Sequence, residues 1–218
     1  MNIFILANNT NQGKTYSTLL LLEEFAKKGY RVGAFKPIET GVEKIALDGE
    51  KLLKKSKELN KEFNFSIDDI VPIQMPLPAA PIVAGDVDFE KIEKAYKKIK
   101  KACDILLIEG AGGILVPVTE NFFMIDFVKF FDAKLFLVVG SKLGMINDFL
   151  LNKFYLEKNN IPFTWAVNLF DESYFKITHP FLKKFNPLFI QKDLDKITKK
   201  LLGEYDGREN WIKNPQKI

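Results

Sequence analysis

The 218-residue sequence is short of the side chains from which most enzyme centres are built. It has a single cysteine, Cys103, and a single histidine, His179. These exclude a Cys/His zinc site, a thiol redox pair and a helix presenting two histidines to a metal. Arginine is nearly absent: only Arg31 and Arg208 stand among 32 cationic residues. The lysines are scattered among acids, so the formal net charge of +4 reads as a solvated surface and predicts no nucleic-acid partner. No apolar run approaches the roughly 20 residues that span a bilayer. The opening Met1–Ala7 lacks the cationic region of a secretory leader, so a cytoplasmic protein without a membrane partner is expected. No Pro/Gly/Ser-rich linker, repeat or block of like charge divides the chain. Residues 1–218 are therefore expected to form one domain, with a polar tail from about residue 203 that is poorly ordered.

What the sequence does have is core material: 47% hydrophobic residues, including 20 phenylalanines. Ile3 to Ala7 is a short apolar run, followed by a polar loop and then by helical periodicity from Lys14 to Lys28, which Gly29 ends. Arg31 to Phe35 reads as a second strand, completing a βαβ unit. Asp104–Glu109, Lys134–Val139 and Phe163–Asn168 read as further buried strands, separated by helical stretches near Phe123–Phe131 and Leu143–Lys158. Runs apolar throughout predict a parallel sheet with helices on both faces, an α/β fold. Asp48–Phe63 and Asp88–Lys101 read as outer amphipathic helices. Between them Pro72, Pro76, Pro78 and Pro81 predict an extended loop. His179, before Pro180, is expected to be a helix or turn residue, and Cys103 a small residue at the start of a strand.

Three segments carry chemistry. Asn11-Gln12-Gly13-Lys14-Thr15 lies between the first strand and first helix. A glycine there allows a tight turn close to an anion, the helix start offers free N–H groups, a lysine neutralises β/γ phosphate oxygens and a threonine hydroxyl can ligate Mg²⁺. The leading glycine of the strict phosphate-loop pattern is missing: its place falls at Asn8, or at Ala7 in the longer variant. Asn8 and Asn9 tolerate left-handed backbone and are placed to preserve the curl. Glu109, ending a buried strand before the flexible turn Gly110-Ala111-Gly112-Gly113, offers a carboxylate beside that loop. Lys36, with its backbone fixed by Pro37 at the head of Ile38-Glu39-Thr40-Gly41, aims a second cation at the same sheet edge.

Together these segments resemble the dethiobiotin synthetase family over most of residues 1–170. The resemblance is also carried by the continuation of Gly113 to Pro117 and by Val139-Gly140-Ser141-Lys142-Leu143-Gly144-Met145-Ile146-Asn147. It implies a single-domain P-loop NTPase-like sheet and a homodimer whose substrate site is completed across the interface. The implied reaction is ATP-dependent carboxylation of 7,8-diaminopelargonate by CO₂ and closure of the ring, a step of biotin synthesis. It implies that Lys14 and Lys36 are catalytic. Asn11, Gln12, Gly13, Lys14, Thr15 and Tyr16 would surround the nucleotide, with Asp48, Glu109, Gly110, Ala111 and Gly112 opposite and Asn168 at the nucleobase. Thr15, Asp48 and Glu109 would hold Mg²⁺, with Glu43 as a competitor to Asp48. Thr10, Lys36 and Thr40 would meet the reacting end of the substrate, and Gly144 and Asn147, from the partner subunit, its carboxylate.

The sequence departs from the family pattern in three places. Ala7-Asn8-Asn9-Thr10-Asn11-Gln12 lacks the acidic loop residue expected near the diamine, Ala80-Pro81-Ile82 replaces a Ser-Pro-His segment, and no Gly-Glu-x-Pro base loop stands around Phe189-Ile190-Gln191-Lys192. Base selectivity is therefore left open, with ATP the default. Two other readings also stand at this point. One is a switch ATPase of the partitioning or septum-positioning type, which usually carries an extra lysine early in the loop and here does not. The other is a catalytically dead nucleotide-binding module.

Overall fold

The opening apolar run is buried on both faces because it lies at the centre of a sheet. In the computed structural model, which describes residues 1–204, the chain runs β1 (Asn2–Ala7), α1 (Lys14–Lys27), β2 (Val32–Phe35), β3 (Ile38–Thr40), α2 (Leu47–Leu59), α3 (Ile67–Ile70), β4 (Ile73–Met75), α4 (Pro81–Ala84) and α5 (Phe89–Lys100). It continues through β5 (Ile105–Gly113), β6 (Pro117–Thr119), β7 (Phe122–Phe123), α6 (Phe127–Phe130), β8 (Lys134–Val139) and α7 (Met145–Lys158). β9 (Phe163–Val167), α8 (Tyr174–Ile177), α9 (His179–Leu182) and α10 (Leu194–Leu202) complete it.

Five strands form the main sheet in the order β2-β5-β1-β8-β9, every neighbouring pair parallel. Strands of a parallel sheet end on one edge, and ligands of such sheets bind outside those ends. Here that edge collects the loop after β1, Lys36 after β2, Glu109 midway along β5 just before its bulge, Gly140 and Ser141 after β8, and Asn168 after β9. Phenylalanines fill the space on one side: Phe131 lies 5.3 Å from Phe127, 5.9 Å from Phe35 and 6.2 Å from Phe4, ring centre to ring centre.

Several elements differ from the sequence expectation, each for a local reason. The segment Pro72–Pro81 is not wholly a loop: Ile73–Met75 forms β4 parallel to β3, because its prolines flank the strand and do not interrupt the ladder. Pro81 occupies the first turn of α4, where its missing N–H costs nothing. The stretch Phe123–Phe131 holds a 3₁₀ turn at Met124–Asp126 and then the single-turn α6, after which Asp132 (φ +46°) reverses the chain into β8. α7 starts at Met145, not Leu143, because Gly144 (φ +93°) is its left-handed N-cap. β5 does not stop at Glu109. It runs to Gly113 with a bulge, since Ile5 pairs with Glu109 but Ala7 pairs with Gly113. At Gly110 a Cβ would come within 2.5 Å of the Leu6 side chain, so the strand passes there only as glycine. Gly203 caps α10, and the polar tail beyond Glu204 lies outside the described residues.

Candidate active site

The loop between β1 and α1 is shaped by two left-handed residues, Asn11 (φ +58°) and Gly13 (φ +84°). Asn8 and Asn9 do not provide that curl. Ala7 needs no glycine, because it is still in the sheet, paired with Val138 on one side and Gly113 on the other. Asn8 continues the ladder, donating its N–H to the Val138 carbonyl at 3.0 Å, and its side-chain oxygen accepts from the Gly140 N–H at 3.2 Å. The Asn9 side chain accepts from the Thr10 N–H at 2.7 Å and donates to Asp148 on α7 at 3.0 Å. Gly13 is required twice over. Its φ is positive, and a Cβ there would lie 2.0 Å from Asn168 Nδ2.

Beside this loop sits a buried charge cluster. Glu109 is wholly buried. Its Oε1 accepts from Lys36 Nζ at 2.7 Å and from the Thr15 hydroxyl at 2.9 Å. The Thr18 hydroxyl lies 3.0 Å from Oε2 and 2.9 Å from the Lys14 carbonyl. A carboxylate taken fully out of water requires such partners. Lys36 is buried as well, and Asp48 Oδ2 lies 3.9 Å from its ammonium group. Burial pulls the Lys36 pKa down, but the Glu109 and Asp48 carboxylates outweigh it and hold it above the ordinary lysine value. Lys14 differs. Burial dominates, the neighbouring Lys36 adds to it, and Glu109 and Asp48 only partly offset the two, so its pKa falls to about 8. The edge therefore carries one lysine locked in the charged state and another that titrates just above neutrality.

Asp48, rather than the exposed Glu43, is the acid beside Lys36, and it stands in the first turn of α2. That turn is held by a residue the sequence reading quoted but did not use. The Glu39 carboxylate accepts the N–H groups of Asp48 at 3.0 Å and Gly49 at 2.9 Å, doing from β3 what an N-cap side chain does. Thr18, one turn after Thr15, was likewise missed, although their three-residue spacing puts both hydroxyls on one helix face. Tyr16 is exposed, as are Asn9 and Thr10. Thr40 is half-buried at the end of β3. Gly144 and Asn147 lie outside the charge cluster, exposed at the opening of α7. Asn168 is 4% exposed, and its amide is turned to the phosphate loop: Nδ2 donates to the Gln12 carbonyl at 3.0 Å, and Oδ1 accepts from Gln191 at 2.6 Å. Asn168 thus ties the phosphate loop to Gln191. Cys103 is half-buried, with its thiol pushed up to about 12 by burial, and His179 opens α9 among Tyr174, Phe175 and Phe189.

Comparison with known proteins agrees with this geometry. A family model described as "AAA domain" (AAA_26) matches residues 1–169. The ATP-dependent dethiobiotin synthetase BioD of Sulfurovum sp. (strain NBC37-1) is 45% identical over 186 residues, covering 83% of this chain and 89% of that one. The BioD protein of Wolinella succinogenes is 34% identical over 212 residues, covering 92% and 98%. The chain belongs to the ATP-dependent dethiobiotin synthetase family. As a dethiobiotin synthetase it is an ATP-dependent ligase, which removes the switch-ATPase and inactive-module readings. A plasmid partition protein from Borrelia burgdorferi shares 13% identity with a TM-score of 0.56, over 94% of this chain and 98% of that one, a likeness of fold alone. No helix among the described residues is long and apolar enough to cross a membrane.

The dethiobiotin synthetase site also suits Mg²⁺. Thr15 Oγ1 and the Glu109 carboxylate lie in contact, Asp48 is near, and all three offer hard oxygen. No cluster of three His, Cys, Asp or Glu residues occurs among the described residues. Thr15, Glu109 and Asp48 are oxygen donors of the kind Mg²⁺ takes, one or two carboxylates with phosphate oxygens and water completing the shell.

Proposed function

We propose that this chain joins CO₂ to 7,8-diaminopelargonate and closes the cyclic urea dethiobiotin, converting ATP to ADP and phosphate. The observation that carries the reading is the convergence of Lys14, Thr15, Lys36 and Glu109 on one sheet edge, two cations and a carboxylate placed to hold anions together. The chemistry asks for no nucleophile from the protein. One amine adds to CO₂ and loses a proton, giving a carbamate; a carbamate oxygen attacks the γ-phosphorus and ADP leaves. The second amine then attacks the resulting carbonyl carbon and gives up a proton, and phosphate departs as the second C–N bond forms.

The protein's task is to hold anions together. A carbamate and a triphosphate repel each other, and two lysines fixed between them offset that repulsion and stabilise the charge on the moving phosphoryl group. Lys36 stays charged because its carboxylate neighbours hold the proton, so it serves as an electrostatic clamp and not as a base. Lys14, at the start of α1, sits where β/γ oxygens meet the helix N–H groups. Thr15, Glu109 and Asp48 would hold Mg²⁺, which neutralises phosphate charge when bound. Thr10 and Thr40 would orient the carbamate end. Asn147 and the N–H groups that Gly144 leaves free at the start of α7 would take the substrate carboxylate from the partner subunit of a homodimer.

The test is dependence. Phosphate release should require the diamine and bicarbonate together, one phosphate per product. Release that ignores the diamine, or that responds only to an added protein or lipid, would sink the proposal.

A further inference from the structure

We infer that Gln191 and Asn168 are positioning residues for the triphosphate, acting through a relay of amides that sets the plane of the Gln12–Gly13 peptide. The inference rests on the reading of residues 8–15 as the phosphate loop.

The relay runs in one direction. Gln191 Nε2 donates to Asn168 Oδ1 at 2.6 Å, and Asn168 Nδ2 donates to the Gln12 carbonyl at 3.0 Å. Each amide accepts at one end and donates at the other, so each bond polarises the next. Gln191 is held at its own end as well, because its Oε1 accepts the Leu169 N–H at 3.1 Å. Both amides therefore have assigned orientations, and neither can flip without losing a bond. The backbone under Gln191 is fixed by pairing with the sheet edge: Val167 N–H donates to the Leu188 carbonyl at 2.7 Å, and Ile190 N–H to the Val167 carbonyl at 2.9 Å. The Phe189 N–H is held at 3.0 Å by the Asp193 carboxylate, which precedes α10.

The consequence falls on Gly13. The chain has no cis peptide among the described residues, and across a trans peptide the C=O and the following N–H point in opposite directions. Drawing the Gln12 carbonyl toward Asn168 thus turns the Gly13 N–H away from Asn168, and an N–H so turned is what a phosphate loop offers an anion. Asn168 packs directly against this peptide: a Cβ on Gly13 would be 2.0 Å from Nδ2, so only glycine allows the approach. Gln191 occupies the segment where the sequence lacks the family's base loop. On this account it supports phosphate binding there and does not read the base.

The experiment compares the wild-type chain with Gln191→Met, which keeps the shape but removes the donor, measuring MgATP and inorganic tripolyphosphate binding by calorimetry. Both ligands should weaken by one common factor of about two- to tenfold, the range for the loss of one hydrogen bond. The KM for ATP should rise with it while kcat at saturation and the melting temperature stay unchanged. In an Asn168→Ala background, Gln191→Met should add nothing. Weakening of MgATP with tripolyphosphate untouched would make Gln191 a base or ribose contact and overturn the relay. So would unchanged affinity for both ligands, or full additivity with Asn168→Ala. A wild-type chain that binds neither ligand would instead overturn the phosphate-loop reading, and the relay with it.

Discussion

Lys14 and Lys36 are one residue type at one sheet edge, yet their surroundings give them different electrostatics and different tests. Lys36→Ala should abolish product, a loss on the order of 10²–10³-fold or more, while ATP still binds. It removes the cation from the wholly buried Glu109, so the variant should also lose about 3–5 kcal/mol of stability and is best assayed well below its melting temperature. Lys14→Ala should damage both product formation and nucleotide binding. The Lys14 pKa near 8 makes a further prediction. A triphosphate favours the charged ammonium and raises that pKa, so binding above pH 8 must take up a proton, and affinity must fall as pH rises. Calorimetry in buffers of different ionisation enthalpy at pH 8.5 should detect the uptake, and Lys14→Arg should abolish it. At this scale Lys14, Thr15, Lys36 and Glu109 were legible because each has a chemical reason in its own local segment. The structural role of Asn168 was not, since it is set by a carbonyl 156 residues away in sequence.

At the scale of elements, the site depends on how helices are started. Gly13 begins α1 and Gly144 begins α7, both in left-handed backbone, while α2 borrows its cap from the Glu39 carboxylate on β3. Glu39→Ala should cost about 1–2 kcal/mol, seen as a lower melting temperature. It should also loosen the turn that holds Asp48, raising the Mg²⁺ concentration needed for half-maximal activity; an unchanged requirement would detach that cap from the metal site. The central strands were legible because a strand buried on both faces is an unbroken apolar run. β4 was not, because its prolines read as a loop when only their number is considered and not their position at the strand's ends. The missing leading glycine also finds its explanation here: Ala7 is a strand residue, and the curl begins at Asn11.

For the whole molecule, the parallel sheet and its shared carboxyl edge were expected from sequence, whereas the strand order and the subunit contacts cannot be read from one chain's periodicity. α7 bears on its surface Asn147, Leu151 and Phe154, spaced by four and three residues and so on one helix face, with Leu151 and Phe154 about three-fifths exposed. If the proposed homodimer uses this face, Phe154→Asp should shift sedimentation toward monomer and raise the KM for the diamine while leaving ATP binding intact. A dimer of unchanged stability would place the interface elsewhere.

The most direct test of the account is mass spectrometry of the product formed from 7,8-diaminopelargonate, ¹³C-bicarbonate, ATP and Mg²⁺. The account predicts a cyclic urea carrying one ¹³C with the wild-type chain and none with Lys36→Ala. Unlabelled or absent urea with the wild-type chain, or labelled urea at the normal rate with Lys36→Ala, would contradict it.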